Sequence, residues 1–186
     1  HAIATRLLPS QDPVHQISII PRGRAGGYTL SLPEKDKFYA SKREMMDNIV
    51  TLLGGRVAEA LTMDDISTGA SNDIERATEM ARQMVTMYGM SDTFGLVGLE
   101  SIEHRYLDGR AVSHCSEETK TAIDNEIVKI MKERYEIAKK LLTDNRDALD
   151  KISEFLIEKE TITGDEFMEI FNKVNEPEII PEDTEE

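Results

Sequence analysis

Ser41-Lys42-Arg43-Glu44-Met45-Met46-Asp47-Asn48-Ile49-Val50-Thr51-Leu52-Leu53-Gly54-Gly55-Arg56-Val57-Ala58-Glu59-Ala60-Leu61 decides the fold class. Its first four residues form a capping box: the serine side chain and the glutamate three residues on can each bond a backbone N–H that a helix start leaves without a partner. Met45, Ile49, Leu52, Leu53, Val57 and Leu61 then recur at helical spacing, so a helix running to about Leu61 turns one face to a core. Gly54 and Gly55 lie inside it, where each glycine costs ~1 kcal/mol relative to alanine. Close approach of another backbone is the expected reason for accepting that cost.

The same reading extends outward. Asn72-Asp73-Ile74-Glu75 is a second capping-box pattern, opening a helix through Ile74, Ala77, Ala81, Met84, Val85 and Tyr88 that Gly89 can end. Ser116 caps a long helix with Ile123, Ile127, Ile130, Met131, Ala138 and Leu141 on one face. Another follows from about Arg146, carrying Leu149, Ile152, Phe155 and Leu156. Thr163-Gly164-Asp165-Glu166 caps a last one, with Phe167, Ile170, Phe171 and Val174. The C-terminal half is therefore read as a helical bundle.

Toward the N-terminus, residues 1–8 read as the end of a helix that Pro9 stops. Residues 14–20 and 28–32 are rich in Ile, Val, Tyr, Thr and Leu with partial alternation. Arg22-Gly23-Arg24-Ala25-Gly26-Gly27 separates them, so two strands joined by a Gly-rich loop are expected. Residues 91–113 have no sustained period and read as loop, with one short strand near Leu96 to Leu99. The expected class is mainly α, with a small β-sheet or hairpin near the N-terminus. Residues 1–175 form the expected domain, and 176–186, dominated by Pro and acidic residues, form a disordered acidic tail.

Composition narrows the function classes. The 186 residues are 39% hydrophobic, with no Trp and nine Met, so the core is aliphatic and Met-rich. A net charge of −14 disfavours nucleic acid or anionic lipid as a direct partner. The one cysteine, Cys115, cannot form an intrachain disulfide and has no partner at metal-ligand spacing. No apolar run approaches the ~20 residues of a membrane span. Arg22, Arg24 and their glycines do not make a phosphate loop, because no GxxxxGK[ST] string is present and no helix follows, so ATP binding by this chain is not expected. His15, His104 and His114 have no histidine four residues away on a helix, and no catalytic role is assigned to them.

Several strings nevertheless occur together, in order: Ala2-Ile3-Ala4-Thr5-Arg6 after His1, Asp12-Pro13-Val14-His15, Ile19-Ile20-Pro21-Arg22-Gly23-Arg24-Ala25, Leu53-Gly54-Gly55-Arg56-Val57-Ala58-Glu59, Ser67-Thr68-Gly69-Ala70-Ser71-Asn72-Asp73-Ile74 and Leu142-Thr143-Asp144-Asn145. In this they resemble the peptidase domain of the FtsH-type membrane-anchored, ATP-dependent zinc metalloproteases. His1 matches the second histidine of that family's His-Glu-x-x-His helix. The first histidine and the general-base glutamate would precede His1, so this chain is expected to hold zinc weakly and to be inactive alone.

In such a motif, two histidines four apart share one helix face and reach one metal. The glutamate serves as general base, and a third protein ligand leaves a position open for water. The resemblance implies Zn2+ with His1 as one ligand and Asp73 as the third. An independent argument is modest: a carboxylate in the first helical turn is favoured in its ionised form, as a ligand must be, though it can equally serve only to stabilise the helix start. Glu59 is the competing acid, read as a partner for Arg56 or as a carboxylate that orients a ligand imidazole. Gly26, Gly27, Tyr28, Thr29 and Leu30 are the candidate strand for binding extended substrate by edge addition.

The resemblance further implies degradation of unfolded or membrane-delivered polypeptides and assembly as a homo-oligomer, a hexamer. It places ATP and Mg2+ in a separate ATPase module. The expected location is the cytoplasmic face of a bacterial inner membrane, anchored through other segments, with an organellar membrane as the alternative. The competing reading is a non-catalytic helical assembly domain of the same fold.

Overall fold

A computed structural model of the chain describes residues 1–21, 23, 26–33, 38–103 and 110–175. Arg22, Arg24, Ala25, His104 and the expected tail 176–186 lie outside the described residues. The elements run α1 (Ala2–Leu7), β1 (Val14–Ser18), β2 (Tyr28–Ser31), α2 (Lys42–Thr62), α3 (Ser71–Thr86), β3 (Glu100–Glu103), β4 (Arg110–Ser113), α4 (Glu117–Asp144), α5 (Arg146–Lys159), β5 (Thr161–Thr163) and α6 (Gly164–Asn175). The mainly α expectation holds.

The core forms where α2 packs on α3 and α4. Ile49, Val50 and Val57 of α2, Ala77, Ala81 and Met84 of α3, and Ile123 and Ala138 of α4 are all almost completely shielded from solvent. Each fully buried large aliphatic side chain contributes about 1.5–3 kcal/mol, so this three-helix contact dominates the stability of the region. The capping box of α2 is formed as read: Ser41 Oγ accepts from the Glu44 N–H at 3.2 Å, and Glu44 Oε2 accepts from the Ser41 N–H at 2.8 Å. Ser116 caps α4 by accepting from the Thr119 N–H at 3.3 Å.

The N-terminal strand pair is part of a three-stranded antiparallel sheet in the order β2-β1-β5. Ile17 of β1 faces Thr29 on one side and Ile162 on the other, and both isoleucines are buried. The sequence reading lacks β5. Its Thr-Ile-Thr is three residues long, too short for a period to show, and the Thr163–Glu166 capping pattern that follows draws attention to the helix instead. That cap does form, with Glu166 Oε2 accepting from the Thr163 N–H at 2.9 Å and Thr163 Oγ1 from the Glu166 N–H at 3.2 Å. Gly164 lets α6 start directly against β1, since a Cβ there would collide with the Val14 carbonyl.

Three local expectations are corrected. The Asn72–Glu75 capping box is absent: α3 begins at Ser71 with Ala70 at its N-cap and no side-chain cap bond. The preceding turn is held instead by Ser67 Oγ, which accepts from the Gly69 N–H at 3.1 Å, and by the Thr68 carbonyl, which accepts from the Ser71 N–H at 3.1 Å. The helix also ends at Thr86, before Tyr88, with Gly89 in the left-handed region at φ +61°. Leu96 to Leu99 is not a strand; the strands of this region are β3 and β4, paired with Glu100 opposite Ser113 and Glu103 opposite Arg110. Polar, four-residue strands carry little apolar alternation for a sequence reading to detect.

Candidate metal centre

The site is built on α2. His1 precedes α1, and its Nδ1–H donates to the Thr51 carbonyl at 2.8 Å. That bond commits Nδ1 as the donor and leaves Nε2 as the ring nitrogen a metal would take. Nε2 looks toward α3, where Asp73 Oδ2 lies 3.4 Å away. Both side chains keep partial solvent access, 35% for His1 and 26% for Asp73. Two ligands bonded at ~2.0–2.1 Å to a tetrahedral zinc sit about 3.3–3.4 Å apart, so the separation fits a shared metal.

The glycine pair has a local cause. Gly54 approaches the backbone of His1 and the Ala4 side chain at ordinary contact distance, 3.6–3.7 Å for a hypothetical Cβ. Gly55 faces the imidazole, and a Cβ there would stand 2.7 Å from Nε2 and 3.1 Å from Cε1. The expected backbone contact therefore accounts for Gly54, whereas Gly55 keeps clear the ring nitrogen that points at Asp73.

Glu59 is turned toward Arg56, the first of its two expected roles, and toward Ser67. Its Oε2 accepts from Arg56 Nη1 at 2.9 Å and its Oε1 from the Ser67 N–H at 2.8 Å, while Arg56 Nη2 donates to the Ser67 carbonyl at 2.8 Å. The bonds from Ser67 and the Arg56 guanidinium hold the Glu59 carboxyl below the usual range, against desolvation and the nearby Asp65. The atom bonded to the imidazole Nδ1 is the Thr51 carbonyl. Among the described residues, no three or more His, Cys, Asp or Glu side chains come together as a metal-binding group. His114 bonds Ser101 Oγ at 2.6 Å, and Cys115 Sγ lies 3.1 Å from Ser113 Oγ.

Tyr28, Thr29 and Leu30 fall in β2, with Gly26 and Gly27 just before it. Among the described residues, β2 is an outer strand of its sheet and pairs with β1. Tyr28 is fixed from behind by its hydroxyl, which donates to Gln16 Oε1 at 2.8 Å. Thr51, Gly55 and Ser67 were not singled out from sequence as parts of the site. Thr51 and Gly55 are four apart on one helix, and that spacing on the glycine-bearing face was the available signal.

A histidine nitrogen and a carboxylate oxygen converging on one point are the donor types of a zinc peptidase. A sequence model of peptidase family M41 matches residues 1–170, and the chain belongs to that family. It is similar to the ATP-dependent zinc metalloprotease FtsH of Clostridium perfringens, at 52% identity over 171 residues, covering 91% of this chain and 24% of that protein. The ATP-dependent zinc metalloprotease FtsH 1 of a Thermoanaerobacter species is 53% identical over 175 residues, covering 92% of this chain and 29% of that protein. For the FtsH of Thermotoga maritima, identity is 46% over 177 residues, with 93% and 29% covered. The chain thus spans 24–29% of the length of these relatives. No described helix is long and apolar enough to cross a membrane.

Proposed function

We propose that this chain is the peptidase portion of an ATP-dependent zinc protease, with His1 and Asp73 as two of the metal's protein ligands. The observation that carries this is the 3.4 Å separation of His1 Nε2 and Asp73 Oδ2, with Nδ1 already committed to Thr51. Zinc bound there supplies Lewis acidity for hydrolysis of a peptide bond. Thr51 fixes the tautomer and plane of the imidazole, Gly55 leaves its Nε2 accessible, and Asp73 brings the negative charge that a divalent cation requires. In the family motif, a second imidazole and a general-base glutamate complete such a site.

The outer strand β2 binds substrate by strand addition, which draws affinity from main-chain bonds and leaves side-chain preference loose. That suits unfolded or membrane-delivered polypeptides presented by an ATP-driven module, where ATP and Mg2+ reside. The full protein acts as a homo-oligomer, a hexamer, on the cytoplasmic face of a bacterial inner membrane.

The test is zinc stoichiometry in the full-length protein, wild type against Asp73→Ala. The expected result is about one zinc per chain in wild type and a clear loss in the variant. As a bare ion pair, the partly exposed His1–Asp73 contact is worth ~1 kcal/mol or less, so the variant should still fold. Zinc retained in Asp73→Ala, or absent from wild type, overturns the assignment.

A further inference from the structure

Asp73 stands in the first turn of α3, a helix whose N-cap residue, Ala70, offers no side-chain acceptor. Helix starts of this kind fray unless something else holds them. Here the hold comes from α2: Arg56 and Glu59, with side chains only 16% and 19% exposed, take Ser67 by both its N–H and its C=O. Three bonds of 2.8–2.9 Å close a ring of Arg56, Glu59 and Ser67. From Ser67 the bonds run along the turn to either side of Asp73: Ser67 Oγ accepts from the Gly69 N–H, the Thr68 carbonyl from the Ser71 N–H, and the Ala70 carbonyl from the Ile74 N–H.

The same helix holds His1 through Thr51 and makes room for it at Gly55. Both donors of the pair are therefore registered against one rigid element. His1 is set directly, and Asp73 is set at a distance through the gripped loop.

We propose that Arg56, Glu59 and Ser67 form a positioning clamp that fixes the Asp73 carboxylate opposite His1 and thereby sets the zinc affinity of the site, an inference that rests on the reading of His1 and Asp73 as ligands. Glu59 acts through the backbone of Ser67 and touches neither donor. Its loss leaves the ligand set complete but lets one ligand wander. Contacts that orient a metal ligand typically govern about 10–100-fold in metal affinity, and the clamp acts on that orientation at one remove.

The experiment is a zinc titration against a competing chelator, with melting curves of metal-free and zinc-loaded protein, on the full-length protein carrying Glu59→Ala, Glu59→Gln, Arg56→Lys or Asp73→Ala. Glu59→Ala should raise the zinc Kd about 10–100-fold. Arg56→Lys, which keeps the charge but lacks the fork that reaches Glu59 and the Ser67 carbonyl together, should raise it about 10-fold. Glu59→Gln keeps an acceptor for the Ser67 N–H and should recover most of the affinity. The gain in melting temperature on adding zinc should shrink in step with affinity. If Glu59→Ala does not fold, Arg56→Lys and Glu59→Gln carry the test.

Clamp variants that bind zinc as wild type does, or that lower both melting temperatures equally, overturn the proposal while Asp73→Ala still supports the ligand reading. A Glu59→Ala loss as complete as that of Asp73→Ala, with no recovery in Glu59→Gln, makes Glu59 a ligand and also overturns it. Zinc retained in Asp73→Ala overturns the ligand reading itself.

Discussion

Replacing Gly55 by alanine separates stability from metal binding more cleanly than removing a ligand does. In a helix interior the change gains ~1 kcal/mol of intrinsic propensity. Against that, the new Cβ stands 2.7 Å from His1 Nε2, roughly 0.7 Å inside the 3.4 Å where ordinary contact begins. The ring must move, and Nδ1 is bonded to the Thr51 carbonyl, so displacement sacrifices that bond, worth ~1 kcal/mol, and drives the side chain off its rotamer at ~0.5–1.5 kcal/mol. These opposing contributions leave the folding stability of the metal-free protein within ~1–2 kcal/mol of wild type. Zinc affinity has no such compensation, because the added methyl also occupies the approach to Nε2.

A loss of about 100-fold, equivalent to ~2.8 kcal/mol, is expected in a chelator-competition titration of the full-length protein. Gly54→Ala is the internal control. Its Cβ meets His1 and Ala4 at 3.6–3.7 Å, so it should stabilise the metal-free protein by up to ~1 kcal/mol and leave zinc binding unchanged. Equal zinc affinity in Gly55→Ala and wild type, or equal losses in the two alanine variants, would refute the reasoning.

Two further expectations concern the frame around the site. Gly164→Ala sets a Cβ against the Val14 carbonyl and should destabilise the chain by ~1–3 kcal/mol in urea unfolding, with a midpoint unchanged from wild type as the contrary result. Glu166 is bonded by Lys159 and by the Thr163 N–H, in that order of influence, which holds its carboxyl below the usual range. A depressed folded-state pKa gives stability that is present above the ordinary glutamate range and lost as pH falls through the lower folded value. The melting-temperature deficit of Glu166→Gln should therefore be present at neutral pH and close in acid; a deficit that persists unchanged in acid contradicts this account.

The helices were legible because their signals are local. Ser41 and Glu44 are three residues apart and form the cap that spacing implies, and Ile49, Val57, Ile123 and Ile130 face the core as their period requires. Where two local signals competed, the nearer context decided. Asn72 had the chemistry of a cap, yet Ser67 Oγ and the Thr68 carbonyl had already tightened the turn before it, and the helix started at Ser71. β5 and the pairing of Ser67 with Arg56 and Glu59 depend on partners distant in sequence, and no periodicity encodes such encounters. Asp73 opposite His1 is a middle case: spacing alone left Asp73 as an ordinary helix-start acid, and only resemblance singled it out before the fold placed it 3.4 Å from the imidazole.

The sheet order β2-β1-β5 also constrains the order in which the molecule can be assembled. Ser18 Oγ meets Thr161 Oγ1 at 2.8 Å across 143 positions of chain, whereas α1, α2 and α3, which bring His1 and Asp73 together, all lie before residue 87. On a ribosome, the imidazole and carboxylate can therefore meet well before β5 has been made. The third strand of the sheet must wait, because closing so long a loop precedes any reward from pairing β5 with β1. A nascent chain can thus hold the donor pair and the β1–β2 hairpin before β5 arrives to complete the sheet.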